Sequence, residues 1–147
     1  MEKIPLTILS ILLAAGLILS GCASQSAWTA QSTLGGTSWI LVSYGSAENQ
    51  TPAAAGVPTS LIFAADGQVS GNLGCNGFSG NYKVKDRKLV FGPLASTLMA
   101  CPELQMTQEG STFQVLTGTV LFTMTGNTLT IYAAGGAVAL TLSRVVN

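Results

Sequence analysis

The chain has 147 residues, six basic and six acidic side chains, no histidine, and 48% hydrophobic against 8% charged residues. So sparse a charge leaves no basic face for nucleic acid, and the lack of histidine removes the commonest general base, metal ligand and partner of a nucleophilic Ser or Cys. The carboxylates Glu2, Glu48, Asp66, Asp86, Glu103 and Glu109 are scattered along the chain, so composition points away from an enzyme and from a bound cofactor or metal.

The amino-terminal segment is a processing signal in this reading. An apolar run, Ile4 to Leu19, follows Lys3 and ends in Leu19-Ser20-Gly21-Cys22. A hydrophobic residue, two small residues and then Cys is the pattern a bacterial lipoprotein signal peptidase reads. Residues 1–21 are therefore expected to be cut away, leaving Cys22 as the first residue with a lipid on its sulfur. A retained membrane anchor fits less well, because the run is shorter than the roughly 20 residues a bilayer core needs. It also ends in Gly-Cys and not in a basic stop-transfer cluster. In a Gram-negative host, Ala23 after the cysteine favours sorting to the outer membrane, facing the periplasm.

Residues 22–34 follow as a small, polar tether with Trp28 in its middle. A dozen flexible residues span roughly 20 Å. The domain proper, 35–147, opens with the run Trp39-Ile40-Leu41-Val42, which reads as a strand buried on both faces. Residues 48–58, rich in Ala and Pro, read as a surface loop. Leu61 and Phe63, the Asp66-Gly67 turn and Gln68 to Gly71 form a hairpin pattern, and Asn76-Gly77 is a further turn signal with Asn76 suited to a left-handed position. Residues 78–84 and 88–91 read as a second hairpin with Asp86-Arg87 at its tip. The cluster Lys83, Lys85, Asp86, Arg87, Lys88 is then a solvated turn, with contact to anionic headgroups as the alternative. One helix is expected over 103–116, behind Pro102, with Phe113 and Leu116 facing inward. Strands over 120–125, 128–132 and 138–143 close the chain. Seven or eight short strands and one helix predict an α+β fold, a small curved antiparallel sheet or partial barrel.

Once Cys22 is assigned to lipid, Cys75 and Cys101 remain as an even pair in an oxidising compartment. A disulfide between them is favoured, closing a loop worth about 3.5 kcal/mol in the chain-entropy model. Two buried free thiols are the alternative, and a metal site with only two soft ligands is poorer still.

Leu34-Gly35-Gly36-Thr37-Ser38-Trp39-Ile40-Leu41, Gly71 to Tyr82 containing Gly74-Cys75-Asn76-Gly77-Phe78, and Ser96-Thr97-Leu98-Met99-Ala100-Cys101-Pro102 occur in that order. Together they resemble the three signatures of the META domain of HslJ-like bacterial lipoproteins, over about residues 34–145. The first signature departs from the pattern by an extra Gly36 before the Thr. The resemblance implies a curved antiparallel sheet packed on one helix, no catalytic residues, and an envelope role connected with heat shock and novobiocin resistance. On this reading Gly71, Gly74, Gly77 and Gly80 serve turns and close backbone approach, and Trp39, Phe78 and Tyr82 serve the core. Asn72, Asn76 and Asn81 are candidate binding residues whose amides suit a glycan or peptide. The expected function is a non-catalytic, lipid-anchored envelope module that binds a partner or supports the envelope under stress. A carrier of a small apolar ligand is the alternative, and an enzyme using Ser79 or Cys75 ranks last.

Overall fold

In the computed structural model, residues 34–146 are described. The signal segment 1–21, Cys22 and the tether through residue 33 lie outside the described residues. Among the described residues, no helix is long and apolar enough to cross a membrane.

Among the described residues, ten strands and one complete helix follow in order: β1 (Thr37–Ser46), β2 (Gln50–Pro52), β3 (Ser60–Phe63), β4 (Gln68–Asn72), β5 (Gly77–Lys85), β6 (Lys88–Phe91), β7 (Ala95–Ser96), α1 (Glu103–Phe113), β8 (Thr119–Thr125), β9 (Thr128–Tyr132) and β10 (Val138–Arg144). Every pairing is antiparallel. Eight strands run β1-β3-β4-β5-β6-β8-β9-β10 and close through β10 onto β1, while β2 adds to β1 and β7 adds to β5. The expected open or partial barrel is thus a closed one, with ten strands in place of seven or eight. Closure satisfies the sheet edges that an open arrangement would leave unpaired.

Side chains alternate as a one-sided sheet demands. Inward positions are Leu61 and Phe63 on β3, Val69 on β4, Phe78 and Tyr82 on β5, Leu89 and Phe91 on β6, Leu129 and Ile131 on β9, and Leu140 and Leu142 on β10. They fill the barrel together with Trp39, and Phe63 meets Tyr82 edge to face at 4.8 Å between ring centroids. The interior is a packed core, as a barrel of this strand number allows.

The β1 strand departs from the expectation of burial on both faces. Trp39 and Leu41 are buried, whereas Ile40 and Val42 are each 46% exposed. The register against β10 slips between Leu41 and Ser43, a bulge that leaves Val42 as the extra residue and brings Tyr44 into the core. One inserted residue reverses the inward phase of the strand.

The topology gives the barrel two distinct ends. At the near end lie Leu34, the first described residue, the 64–67 and 86–87 turns, the 126–127 turn and the end of β10. Leu34, the last residue of the expected tether, is fully buried in the core. At the far end lie the 47–59 and 73–76 connections, the 133–137 turn and the long 92–118 segment carrying β7 and α1. The tip of the β5–β6 hairpin is Asp86-Arg87 as expected, and both residues have positive φ, 49° and 62°. This is the geometry of the two-residue turn whose twist matches that of the flanking strands.

Candidate functional site

The helix α1 is shorter than expected, ending at Phe113, and its buried residues are polar: Gln108, Glu109 and Thr112. Thr112 bonds back to Glu109 O within the helix, whereas Gln108 and Glu109 serve the connections at the far end. Gln108 Oε1 accepts from Ala54 N at 2.7 Å, and its Nε2 donates to Leu73 O at 2.7 Å, so one side chain joins two connections to the helix. Glu109 Oε2 accepts from Cys75 N at 2.9 Å and also from Asn76 N, while Oε1 accepts from Asn76 Nδ2 at 2.8 Å. Burial pushes the Glu109 carboxyl up, but the hydrogen bonds from the Asn76 backbone and side chain and from the Cys75 backbone outweigh it and hold the group below its ordinary range. A carboxylate met by this many donors is stabilised in its charged form.

Asn76 passes the connection on. Its Oδ1 accepts from Thr97 Oγ1 at 2.9 Å and from Met99 N at 2.7 Å. Cys75 and Cys101 are disulfide-bonded, with Cα atoms 5.9 Å apart. The segment 97–101 is therefore a strap, held at Thr97 and Met99 by Asn76 and at Cys101 by the disulfide. Asn76 is not left-handed as expected, since Asp86 and Arg87 are the described non-glycine residues with positive φ. Its amide bonds, and not a turn conformation, explain why asparagine fits there.

The motif glycines divide by the space available. A Cβ at Gly74 would lie 2.6 Å from Gln105 O and 2.9 Å from Glu109 N, both helix backbone, so only glycine lets α1 approach this close. A Cβ at Gly71 would meet Ser60 O at 2.0 Å, and one at Gly80 would meet Pro93 O at 2.8 Å. Gly77 is different, because its nearest neighbour would be 3.9 Å away and no close approach requires glycine.

Between the strap and α1 runs a groove of about 640 Å³ whose apolar lining includes Leu94, Leu98, Met99, Met106, Phe113 and Leu116. Leu98 is 98% exposed, and Met99 and Met106 also face solvent. Glu109 and Asn76 lie at the floor of this groove, their polar atoms already engaged by the strap and the 73–76 connection. What remains for a ligand is mainly hydrophobic contact, with the Ser96, Thr97 and Thr117 hydroxyls at its margin.

The three candidate asparagines do not converge on this or any single surface. Asn72 donates from Nδ2 to Cys75 O and accepts at Oδ1 from Gly74 N, both at 2.9 Å, tying its own connection. Asn76 is buried as described, and Asn81 is exposed on β5, opposite Gln68. A second, shallower groove of about 650 Å³ crosses β3, β4, β5 and β7 and is lined by Ser60, Ser70, Asn72, Ser79 and Ser96 among others. Among the described residues, no three His, Cys, Asp or Glu side chains are placed to hold a metal ion.

Sequence reasoning passed over Leu98, Met99 and Met106 as surface contributors and assigned Glu109 no partner. A signal was present: Met106, Glu109 and Phe113 recur at helical spacing on one stripe of α1. That stripe faces the groove, and its one carboxylate had to be matched by donors from elsewhere.

The META domain family model matches residues 32–145. No curated protein matches the chain. Among solved structures, a solution structure of a protein from Burkholderia xenovorans is similar with a TM-score of 0.67 and 27% identity, covering 88% of this chain and 97% of that one. A crystal structure of a DUF4847 family protein from Bacteroides vulgatus shares the fold at 13% identity, with a TM-score of 0.60 over 78% of this chain and 96% of that one. The second and third signatures supply the 73–76 connection and the strap that meet at α1, while the first opens β1. The chain belongs to the META domain family.

Proposed function

We propose that this protein is a non-catalytic binding module of the bacterial cell envelope, lipid-anchored at Cys22, that receives an apolar segment of a partner protein in the groove between the 97–101 strap and α1. The observation that carries this reading is the exposure of Leu98, Met99 and Met106 around a cleft whose polar groups are already engaged. Exposed apolar residues grouped at a concave site mark binding surfaces, and flexible methionines adapt to such contacts. The openness of the cleft favours a protein segment over a small ligand, because small-ligand sites bury most of their ligand. The barrel interior, where a carrier would hold its cargo, is occupied by Trp39, Phe63, Tyr82 and their neighbours.

Two further observations support the non-catalytic reading. The Cys75 sulfur is committed to Cys101. Ser79 faces solvent on β5, paired with Ser70 and Ala95, in a chain that has no histidine to activate it.

A photoreactive amino acid placed at Leu98, Met106 or Asn81 in the full chain tests the reading in intact cells. Discrete protein adducts from positions 98 and 106 and none from 81 are expected, with loss of the 106 adduct on Leu98→Asp. Adducts to lipid alone, or equal adducts from 81, would refute a protein-binding groove.

A further inference from the structure

The structure segregates charge along the barrel axis. The five basic residues after Lys3 lie at or beside the near end: Lys83, Lys85 and Arg87 around the β5–β6 tip, Lys88 next to it on the outer wall, where it also lines a shallow groove with residues 119–121 and 133–136, and Arg144 at the end of β10. The carboxylates Asp66 and Asp86 share that end, leaving an excess of three positive charges, whereas Glu48, Glu103 and Glu109 lie at the far end with no basic residue. Leu34, where the domain meets the segment that precedes it, belongs to the near end, since Gly36 N donates to Phe63 O and Val145 N donates to Ser38 O there.

The hairpin tip concentrates like charge. Lys85 is directly opposite Lys88, and Arg87 sits between them in a left-handed conformation at φ 62°. Like charges opposite one another on a sheet repel. Lys83, Lys85 and Lys88 are all exposed, and the alternation of β5 and β6 turns them to the outer face. Apolar Leu121, the register partner of Lys88, and the exposed Val145 and Val146 accompany them.

We infer that the near end of the barrel is a docking surface for an anionic membrane, with Lys83, Lys85, Arg87, Lys88 and Arg144 against lipid headgroups. The docked orientation points the apolar groove away from the bilayer, toward partners in the aqueous compartment. The inference rests on the lipid-anchored reading for its geometry, because on that reading only a dozen residues, 22–33, separate the lipid from Leu34 at this end. Each basic group brought within a Debye length of an anionic leaflet raises binding about fivefold. Three net charges therefore give well over a tenfold preference.

The test uses the full chain isolated with its native modification and reconstituted into vesicles of phosphatidylcholine alone or with phosphatidylglycerol. Flotation with phosphatidylcholine vesicles reads the anchor by itself. Acylation of lysines by a water-soluble active ester, followed by mass spectrometry, then reads docking. Labelling of Lys83, Lys85 and Lys88 should fall at least threefold in phosphatidylglycerol vesicles and recover in 0.5 M salt. In Lys85→Glu/Lys88→Glu, the remaining Lys83 should label equally in both vesicles. Equal labelling of the parent protein in the two vesicle types would overturn the docking surface while leaving the anchor intact. Failure to float with phosphatidylcholine would count against the anchor alone.

Discussion

Replacing Glu109 with glutamine removes one charge and nothing else in volume, and the structure fixes what that costs. Oε2 serves the backbone N–H groups of Cys75 and Asn76, and Oε1 serves Asn76 Nδ2. Glutamine can keep its oxygen on the two backbone donors, but its amide nitrogen then faces Asn76 Nδ2, donor against donor. Rotating the Asn76 amide relieves this only by turning Nδ2 toward Met99 N, which needs the Oδ1 acceptor it has now. At least one buried donor is left unmade in either arrangement, at about 1–3 kcal/mol, and the surviving bonds lose their charge-assisted character. The total is about 2–4 kcal/mol, or a fall in Tm of roughly 10 °C for a domain of this size. Thermal unfolding followed by circular dichroism at neutral pH measures it. A Glu109→Gln variant within 2 °C of the parent would show that the carboxylate does not hold the 73–76 connection to the helix.

Further outcomes follow from the same geometry. Glu109 is held below its ordinary range by its hydrogen bonds, so it contributes stability that is present above the unfolded-state pKa, about 4.3, and lost as pH falls through the lower folded-state value. The stability of the parent should therefore decline below about pH 5 more steeply than that of Glu109→Gln, as read from urea midpoints across the acid range. Reducing the Cys75–Cys101 bond, which spans a sequence separation of 26, should cost about 3.5 kcal/mol and lower the Tm in dithiothreitol without abolishing the fold, because Asn76 still holds Thr97 and Met99. Gly74→Ala drives a Cβ into the α1 backbone and should destabilise by about 2 kcal/mol or more, whereas Gly77→Ala, with its nearest neighbour at 3.9 Å, should stay within about 1 kcal/mol of the parent in the same denaturation assay. Leu98→Asp should leave the Tm unchanged, as an exposed surface site does.

The hairpins were legible because their turn chemistry is local. Asp66-Gly67 turns with Asp66 Oδ1 accepting from Gln68 N at 3.0 Å, and Gly126-Asn127 joins β8 to β9 at the expected place. Barrel closure was not legible, since it depends on β1 meeting β10 about a hundred residues away, a pairing that no turn signal announces. The apparent two-faced burial of Trp39 to Val42 was a misreading of apolar residues on an outer face, and the bulge at Val42 leaves no mark in the pattern. The helix misled in the opposite sense. Its fully buried residues are Gln108, Glu109 and Thr112, which hydrophobic periodicity does not register; Thr112 bonds back to Glu109 O, but the partners of Gln108 and Glu109 come from connections 30 residues and more away. The Cys75–Cys101 pair needed only counting, given an assigned role for Cys22.

The central claim is that the apolar groove is covered by a partner in the envelope. Methionine oxidation by dilute hydrogen peroxide tests it directly, because Met99 and Met106 line the groove and are exposed, while Met124 packs against the barrel core. In purified protein Met99 and Met106 should oxidise readily. In intact envelopes both should oxidise several-fold more slowly, with Met124 unchanged relative to the purified protein. Equal oxidation of Met99 and Met106 in the two settings would contradict the account.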